Sequence, residues 1–153
     1  MDVDLVSALG LTGTALTAEA VRRLAAAGHA DVRESHGYLI QHVVEGPRPV
    51  GEIAERMEVT QQAVSKAAAE LVALGYLERT GDPADARVRL LGLSARGRAL
   101  VDTTRGIRAD IAAELATALG ADTVERLRVT ALAALEWAGA GEVVRTRRVR
   151  PPS

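Results

Sequence analysis

Apolar residues recur at helical spacing through most of the chain, and they alternate with polar residues in only one short region. Outside the stretch from Pro49 to Leu93, the pattern predicts four helices. They run from Thr14 or Thr17 to Gly28, from Asp31 to about Val44, from Ser94 to near Leu119 and Gly120, and from Asp122 or Thr123 to Gly139. Residues 1–13 lack this periodicity and are expected to be weakly structured. The pattern therefore predicts a mainly α (α+β) fold.

The stretch from Pro49 to Leu93 predicts a short helix, a tight turn, a second helix and a β-hairpin. Thr60 can cap the second helix, because its hydroxyl can accept from an unpaired backbone N–H. The hairpin is predicted as strands over residues 76–80 and 87–90, joined by the turn residues 81–85. Helix, turn, helix and hairpin in this order are typical of a winged helix-turn-helix.

The start of the second helix carries amides, a hydroxyl and one cation on its outward face, which suits base edges and phosphates in a major groove. Arginines alternate with apolar residues in the hairpin. The candidate DNA-binding residues are Arg48, Thr60, Gln61, Gln62, Ser65, Lys66, Arg79, Asp85, Arg87 and Arg89. The alternatives are an ordinary solvated helix face and, for Asp85 and Arg87, a surface ion pair.

Two segments in this stretch resemble the MarR family of bacterial transcription regulators. VTQQAVSKAAAELVALGYLER resembles the family's recognition helix and its exit, and DPADARVRLLGLSARGRAL resembles its wing and the following helix. Ala86 departs from the family pattern, which often has a second Arg there, and Ser94 replaces a more usual Thr. The resemblance implies that Asp85 positions Arg87 for entry into a minor groove.

The resemblance also implies a homodimer that binds a pseudo-palindromic operator in double-stranded DNA, most simply as a repressor. The expected organisation is an N-terminal segment and dimerisation helix in 1–30, a winged helix-turn-helix lobe in 31–97, C-terminal dimerisation helices in 98–140 and a basic flexible tail in 141–153. A core with no Phe and only 2% aromatic residues is consistent with a need for a partner subunit.

MarR-like proteins commonly respond to small aromatic or anionic ligands held between the dimerisation helices and the DNA-binding lobe. The resemblance implies such a pocket, and its candidate lining is Leu16, Ala20, Arg23, His36, Leu39, Ile40 and Val43. The alternative is that these residues simply pack the junction between the two regions.

Composition narrows the remaining function classes. The net charge of −1 requires any DNA binding to come from local clusters of cations. The absence of Cys excludes disulfides, thiolate metal sites and thiol redox sensing. The spacing of His29, His36 and His42 does not favour a metal site. We expect no cofactor and no membrane span, and we expect the protein to be cytoplasmic.

Two other functions remain as alternatives to a DNA-binding regulator. One is a winged-helix module that binds protein and no DNA; the DNA hypothesis needs the lobe's cations on one face. The other is an enzyme, which the sequence disfavours because it has no phosphate loop, activated nucleophile or paired carboxylates at a recognisable spacing.

Overall fold

The computed structural model describes residues 2–82, 85 and 88–141. It is mainly helical with one small antiparallel sheet, so the predicted fold class is confirmed. The elements are α1 (Leu5–Leu24), α2 (Glu34–Ile40), β1 (Arg48–Pro49), α3 (Val50–Met57), α4 (Gln61–Ala73), β2 (Leu77–Gly81), β3 (Arg89–Leu93), α5 (Ala95–Leu119) and α6 (Ala121–Trp137). A π-helical turn, Ala25–His29, extends α1.

The first helix begins about ten residues earlier than predicted. The Asp4 carboxylate accepts hydrogen bonds from the backbone N–H groups of Val6 (2.9 Å) and Ser7 (3.0 Å), which caps the helix at Leu5. The prediction was wrong because it relied on apolar periodicity. None of the residues of α1 is buried in this chain, so its N-terminal half carries no core-facing stripe.

The second helix is shorter than predicted, and its cap is a different residue. Arg33 is the N-cap, and its backbone N–H donates to Nδ1 of His36 at 3.2 Å. Asp31, the predicted cap, instead binds Tyr76 and Arg96. The helix ends at Ile40. The backbone N–H groups of His42 and Val43 then donate to carbonyls three residues earlier in the chain, so the chain continues as tighter turns.

The helix-turn-helix forms where the sequence predicts it. Helix α3 ends at Met57, and its C-cap residue Glu58 adopts a left-handed conformation (φ 54°) that non-glycine residues rarely take. The Thr60 hydroxyl accepts from the Ala63 N–H at 3.2 Å, so the predicted cap of α4 is confirmed. Gly75 (φ 79°) then turns the chain from α4 into the sheet.

The sheet has the strand order β1-β3-β2, with both pairs antiparallel. Strands β2 and β3 form the predicted hairpin, in a register that pairs Leu77 with Leu93 and Gly81 with Arg89. The sequence did not predict β1, which is only two residues long and contains Pro49. Its pairing of Arg48 with Leu91 closes the sheet beside α3.

The hydrophobic core lies within the helix-turn-helix lobe. Its fully buried side chains come from α2, α3, α4, the sheet and the turns between them: Leu39, Val43, Ile53, Val64, Leu71, Tyr76 and Leu91. Helix α5 adds Leu100 to this core, whereas no residue of α1 or α6 is buried. The long helices therefore extend away from the only core that this chain forms among its described residues.

No helix in the described part of the chain combines the length and apolar content that crossing a lipid bilayer requires.

Candidate nucleic-acid interface

Helix α4 presents a polar strip on the side opposite its buried face. Val64, Ala68 and Leu71 pack into the core. Gln62 and Lys66 are exposed and lie four residues apart, so they share the outward face. Ala69 continues that face and was not predicted as a site residue; its short side chain would let the helix approach another surface closely. This strip can meet base edges through Gln62 and phosphates through Lys66.

The other predicted DNA-binding residues at and near the start of α4 are less available for contact with DNA. The Thr60 hydroxyl is engaged in capping the helix, although the residue is exposed. Ser65 is half-buried. Gln61 is exposed but lies against α3, where a Cβ built on Gly51 would be 3.2 Å from its Nε2 atom. The Gln61 side chain therefore lies close to the backbone of the preceding helix at Gly51.

The hairpin places two exposed arginines on the same face. Arg79 pairs across the ladder with Leu91, and Arg89 pairs with Gly81. Directly opposed residues share a face, so Arg79 and Arg89 are diagonal neighbours at about 7–8 Å between Cα atoms. Both side chains are exposed. Together they form a basic strip along the wing.

The tip of the hairpin is described only in part. Asp85 is exposed. Arg87 lies outside the described residues, as does Ala86, the position where the sequence departs from the family pattern. The proposed positioning of Arg87 by Asp85 therefore stays a prediction.

Cations without an internal partner are concentrated on these two elements. Within residues 2–82, 85 and 88–141, the Lys and Arg side chains with no hydrogen bond or ion pair are Lys66, Arg79, Arg89 and Arg108. Three of these four lie on α4 and the hairpin. The lobe thus presents unneutralised positive charge where the sequence predicts contact with DNA.

Arg48 differs from the other predicted cations. Its guanidinium donates to the His42 carbonyl at 2.7 Å and to Oε1 of Glu52 at 2.6 Å, and it lies 3.6 Å from Glu45. Its side chain is only 20% exposed. Arg48 therefore joins β1 to α3 and is not part of the basic surface formed by the unpaired cations.

A cavity of about 780 Å³ lies between α1, α2 and α5. Of the predicted ligand-binding residues, the structure brings Leu16, Ala20 and Ile40 to its wall. The rest of the wall is largely apolar, with Leu24, Val32, Leu100, Ile107 and Leu115 prominent in it. Sequence reasoning missed the contribution of α5, including the unpaired cation Arg108, because nothing local shows which face of a long helix covers another element.

Four predicted residues do not reach the cavity. Leu39 and Val43 point into the lobe core instead. Arg23 is bound by Glu19 (2.6 Å) and by Glu114 of α5 (2.6 Å). His36 is buried beside Glu70 of α4, with 3.5 Å between Nε2 and Oε2. Hydrogen bonds from Arg22 and then from Arg23 lower the pKa of Glu19 to about 2.

The three histidines occupy separate environments. Nδ1 of His29 lies 3.0 Å from the Tyr76 hydroxyl, and His36 lies beside Glu70. Both ring nitrogens of His42 are buried without a hydrogen-bond partner among the described residues. Burial, and then the positive charges of Arg56 and Arg48, lower the pKa of His42. The three histidines thus lie in three different environments.

The arrangement of α3, α4 and a three-stranded wing defines a winged helix-turn-helix protein. Residues 31–88 match the model of the MarR family. The resemblance that the motifs of this chain indicate is therefore confirmed over this segment. No curated protein matches the chain by sequence.

Solved structures share the fold over most of the chain. The YusO protein of Bacillus subtilis is 26% identical, with a TM-score of 0.66 over 83% of this chain and 89% of that one. RV1404 of Mycobacterium tuberculosis is 21% identical, with a TM-score of 0.76 over 91% and 97%. MepR of S. aureus, solved as a complex with DNA, is 17% identical, with a TM-score of 0.67 over 88% and 97%.

Proposed function

We propose that this protein is a homodimeric, sequence-specific DNA-binding transcription regulator that acts in the cytoplasm. The observation that carries the proposal is the concentration of unpaired cations on α4 and the wing, with Gln62 exposed beside Lys66. A structure of the similar protein MepR holds DNA. Occupation of a pseudo-palindromic operator would block promoter access, which makes repression the simplest outcome.

In this proposal α4 enters the major groove and the wing follows the flanking backbone. Gln62 reads base edges, because an amide can donate and accept at the same time. Lys66 neutralises phosphate, as do Arg79 and Arg89 from the wing. Arg87, in the part of the wing that the structure does not describe, would reach the minor groove.

The proposed homodimer rests on where apolar surface remains exposed. The large apolar side chains that stay exposed in the described residues all lie in the N-terminal segment, α1, the end of α5 or α6: Val3, Leu5, Val6, Leu9, Leu11, Val21, Leu119, Leu127, Val129, Leu132, Leu135 and Trp137. Soluble monomers rarely leave large contiguous apolar patches uncovered. A second copy that interleaves its terminal helices would cover these side chains in an isologous interface.

DNA binding is tested by titrating duplexes across a salt series. Lys66→Ala removes one phosphate contact, so the slope of log affinity against log salt should fall in magnitude by about 0.9. Arg108→Ala is the matched control, because Arg108 is also unpaired but lies on α5, away from the lobe surface; its slope should equal that of the parent. A parent protein that binds no duplex would favour the protein-binding winged-helix module.

The dimer is tested by sedimentation at micromolar concentration. The parent chain has a mass of 16.1 kDa, and the proposal predicts a species of twice that mass. Leu132→Glu should shift the equilibrium toward monomer, because it places a charge on the exposed apolar face of α6. Arg126→Glu makes a comparable change on the polar face of the same helix and should leave the dimer intact. A monomeric parent would contradict the proposal.

We also propose that a small aromatic or anionic ligand releases the protein from its operator. The volume and apolar wall of the cavity suit a drug-sized molecule, and Arg108 at its wall could meet an acid group. The ligand acts only as far as it binds one arrangement of α1, α2 and α5 better than another.

The test for an effector is thermal denaturation against phenolic and carboxylate compounds, followed by DNA titration at saturating compound. Arg108→Ala should reduce stabilisation by carboxylates but not by uncharged phenols. Stabilisers that leave DNA affinity unchanged would contradict the coupling.

A further inference from the structure

A buried tyrosine lies at the junction between the recognition helix and the long helix α5. The Tyr76 side chain is completely buried. Its hydroxyl donates to Oδ1 of Asp31 at 2.6 Å and lies 3.0 Å from Nδ1 of His29. Because a hydroxyl has only one proton, it must accept from His29, whose Nδ1 therefore carries hydrogen. The hydroxyl thus joins the end of the α1 extension to the segment before α2.

Arg96, in the first turn of α5, closes this cluster from the other side. Its guanidinium lies over the Tyr76 ring, with 4.3 Å between the Cζ atom and the ring centroid. One Nη group donates to Oδ2 of Asp31 at 3.0 Å, and the other donates to the Leu74 carbonyl at 2.6 Å. Leu74 is the C-cap residue of α4, so its carbonyl has no partner within the helix.

A second hydrogen bond repeats the same connection one residue later. The Ser94 hydroxyl donates to the Gly75 carbonyl at 2.5 Å. The carbonyls of the two residues that follow α4, Leu74 and Gly75, are therefore held by side chains at the start of α5. A planar guanidinium suits this task, since it can bind a carboxylate, a carbonyl and a ring face at once.

We propose that Arg96, Asp31 and Tyr76 form a clamp that fixes the angle between the recognition helix and α5. They are positioning residues for DNA binding and touch no DNA themselves. The inference rests on the proposed function, in which α5 belongs to the dimer region. In that dimer, the angle of α4 to α5 determines the separation of the two recognition helices, and so the spacing of half-sites that the dimer accepts.

The charges of the clamp are stable near neutral pH. The hydrogen bond from Tyr76 lowers the pKa of Asp31, and burial raises the pKa of Tyr76 to about 12. Asp31 is thus an anion and Tyr76 a neutral donor under ordinary assay conditions. The clamp therefore combines a fixed ion pair with a fixed hydrogen bond.

The test uses the spacing of half-sites as its readout. A preferred duplex is selected from a random library with the parent protein, and its central spacer is then lengthened by one base pair. The affinity for the preferred duplex is divided by the affinity for the lengthened duplex, and this ratio is measured for the parent, for Arg96→Gln and for Tyr76→Phe. A partly unfolded protein would lose affinity for both duplexes by the same factor, so the ratio reports positioning alone.

We expect both substitutions to lower this ratio by about three- to tenfold, which lies toward the lower end of the coupling between contacting residues. Arg98→Gln is the matched control, since Arg98 lies in the same turn but donates to the Leu93 carbonyl of β3. Its ratio should equal that of the parent. Tyr76→Phe keeps the buried ring. It therefore provides the test on its own if Arg96→Gln does not fold.

The outcomes separate the clamp from the proposed function. A parent that binds DNA with a clear spacing preference, together with variants whose ratio is unchanged, would overturn the clamp and leave the regulator in place. A parent that binds no DNA, or has no spacing preference, would overturn the dimeric regulator and the clamp together.

Discussion

Gly97 lies directly against the backbone carbonyl of Tyr76, and a Cβ built at position 97 would overlap that oxygen. The same Cβ would be 3.1 Å from Cδ2 of Leu93. Because the obstacle is backbone, it cannot move aside cheaply. We expect Gly97→Ala to lower the free energy of unfolding by about 2–4 kcal/mol, measured by urea denaturation.

Gly106 provides the control for this prediction. It lies in the same helix, α5, and nothing lies within 4 Å of a Cβ built there. Gly106→Ala should therefore raise the free energy of unfolding by up to about 1 kcal/mol, as expected for alanine inside a helix. Equal effects of the two substitutions would contradict the close approach of Tyr76.

Gln61 should respond to a substitution in the neighbouring helix. A Cβ at Gly51 would meet the far end of the Gln61 side chain at 3.2 Å, which can move a few tenths of an ångström. Gly51→Ala should leave stability unchanged or slightly higher, yet weaken binding to the selected duplex. Gly37→Ala, with open space around its Cβ, should leave DNA affinity unchanged. An affinity for the selected duplex equal to that of the parent would contradict a part for Gln61 in recognition.

Gln62→Ala should change which sequence is preferred. The loss of a base contact costs about 1–3 kcal/mol of discrimination at one base pair. Selection from a random library should show relaxed preference at that base pair and its dyad mate, while the salt slope stays close to that of the parent. An unchanged selected sequence would exclude Gln62 from base reading.

His42 should make the protein less stable in mild acid. Its pKa in the folded chain is lowered below the ordinary 6.5, first by burial and then by Arg56 and Arg48. As pH falls below 6.5, the unfolded chain binds a proton that the folded chain does not. The free energy of unfolding therefore falls until the pH reaches the folded-state pKa. Urea denaturation between pH 7.5 and 5.5 measures this loss.

His42→Leu tests whether this residue is the cause. Because neither ring nitrogen has a hydrogen-bond partner in the described structure, the substitution removes no hydrogen bond. Stability at pH 7.5 should be retained, and part of the loss toward pH 5.5 should disappear. A variant with the pH dependence of the parent would assign the loss to other groups.

The lobe could be predicted from sequence because its signals are local. The Thr60 cap, the α4 stripe around Val64 and Leu71, and the turn after Gly75 each lie within a few residues of the structure they determine. The candidate DNA-binding surface followed for the same reason, since residues four apart on a helix share a face.

Features that depend on distant partners were not predictable. Asp31 has the sequence pattern of a helix cap, but Tyr76 and Arg96, far along the chain, make better partners for its carboxylate. Arg48 is predicted from sequence to contact DNA, but its guanidinium donates to Glu52 and to the His42 carbonyl. Helix α1 begins early because Asp4 caps it, although no core-facing stripe marks that part.

Hydroxyl-radical footprinting of the selected duplex tests the central proposal most directly, that two copies of this chain read DNA with paired recognition helices. The account predicts two protected patches on one face of the duplex, related by a dyad and centred about 10 base pairs apart, with weaker protection in Lys66→Ala. A single patch without dyad symmetry, or uniform protection that is the same in both proteins, would contradict it.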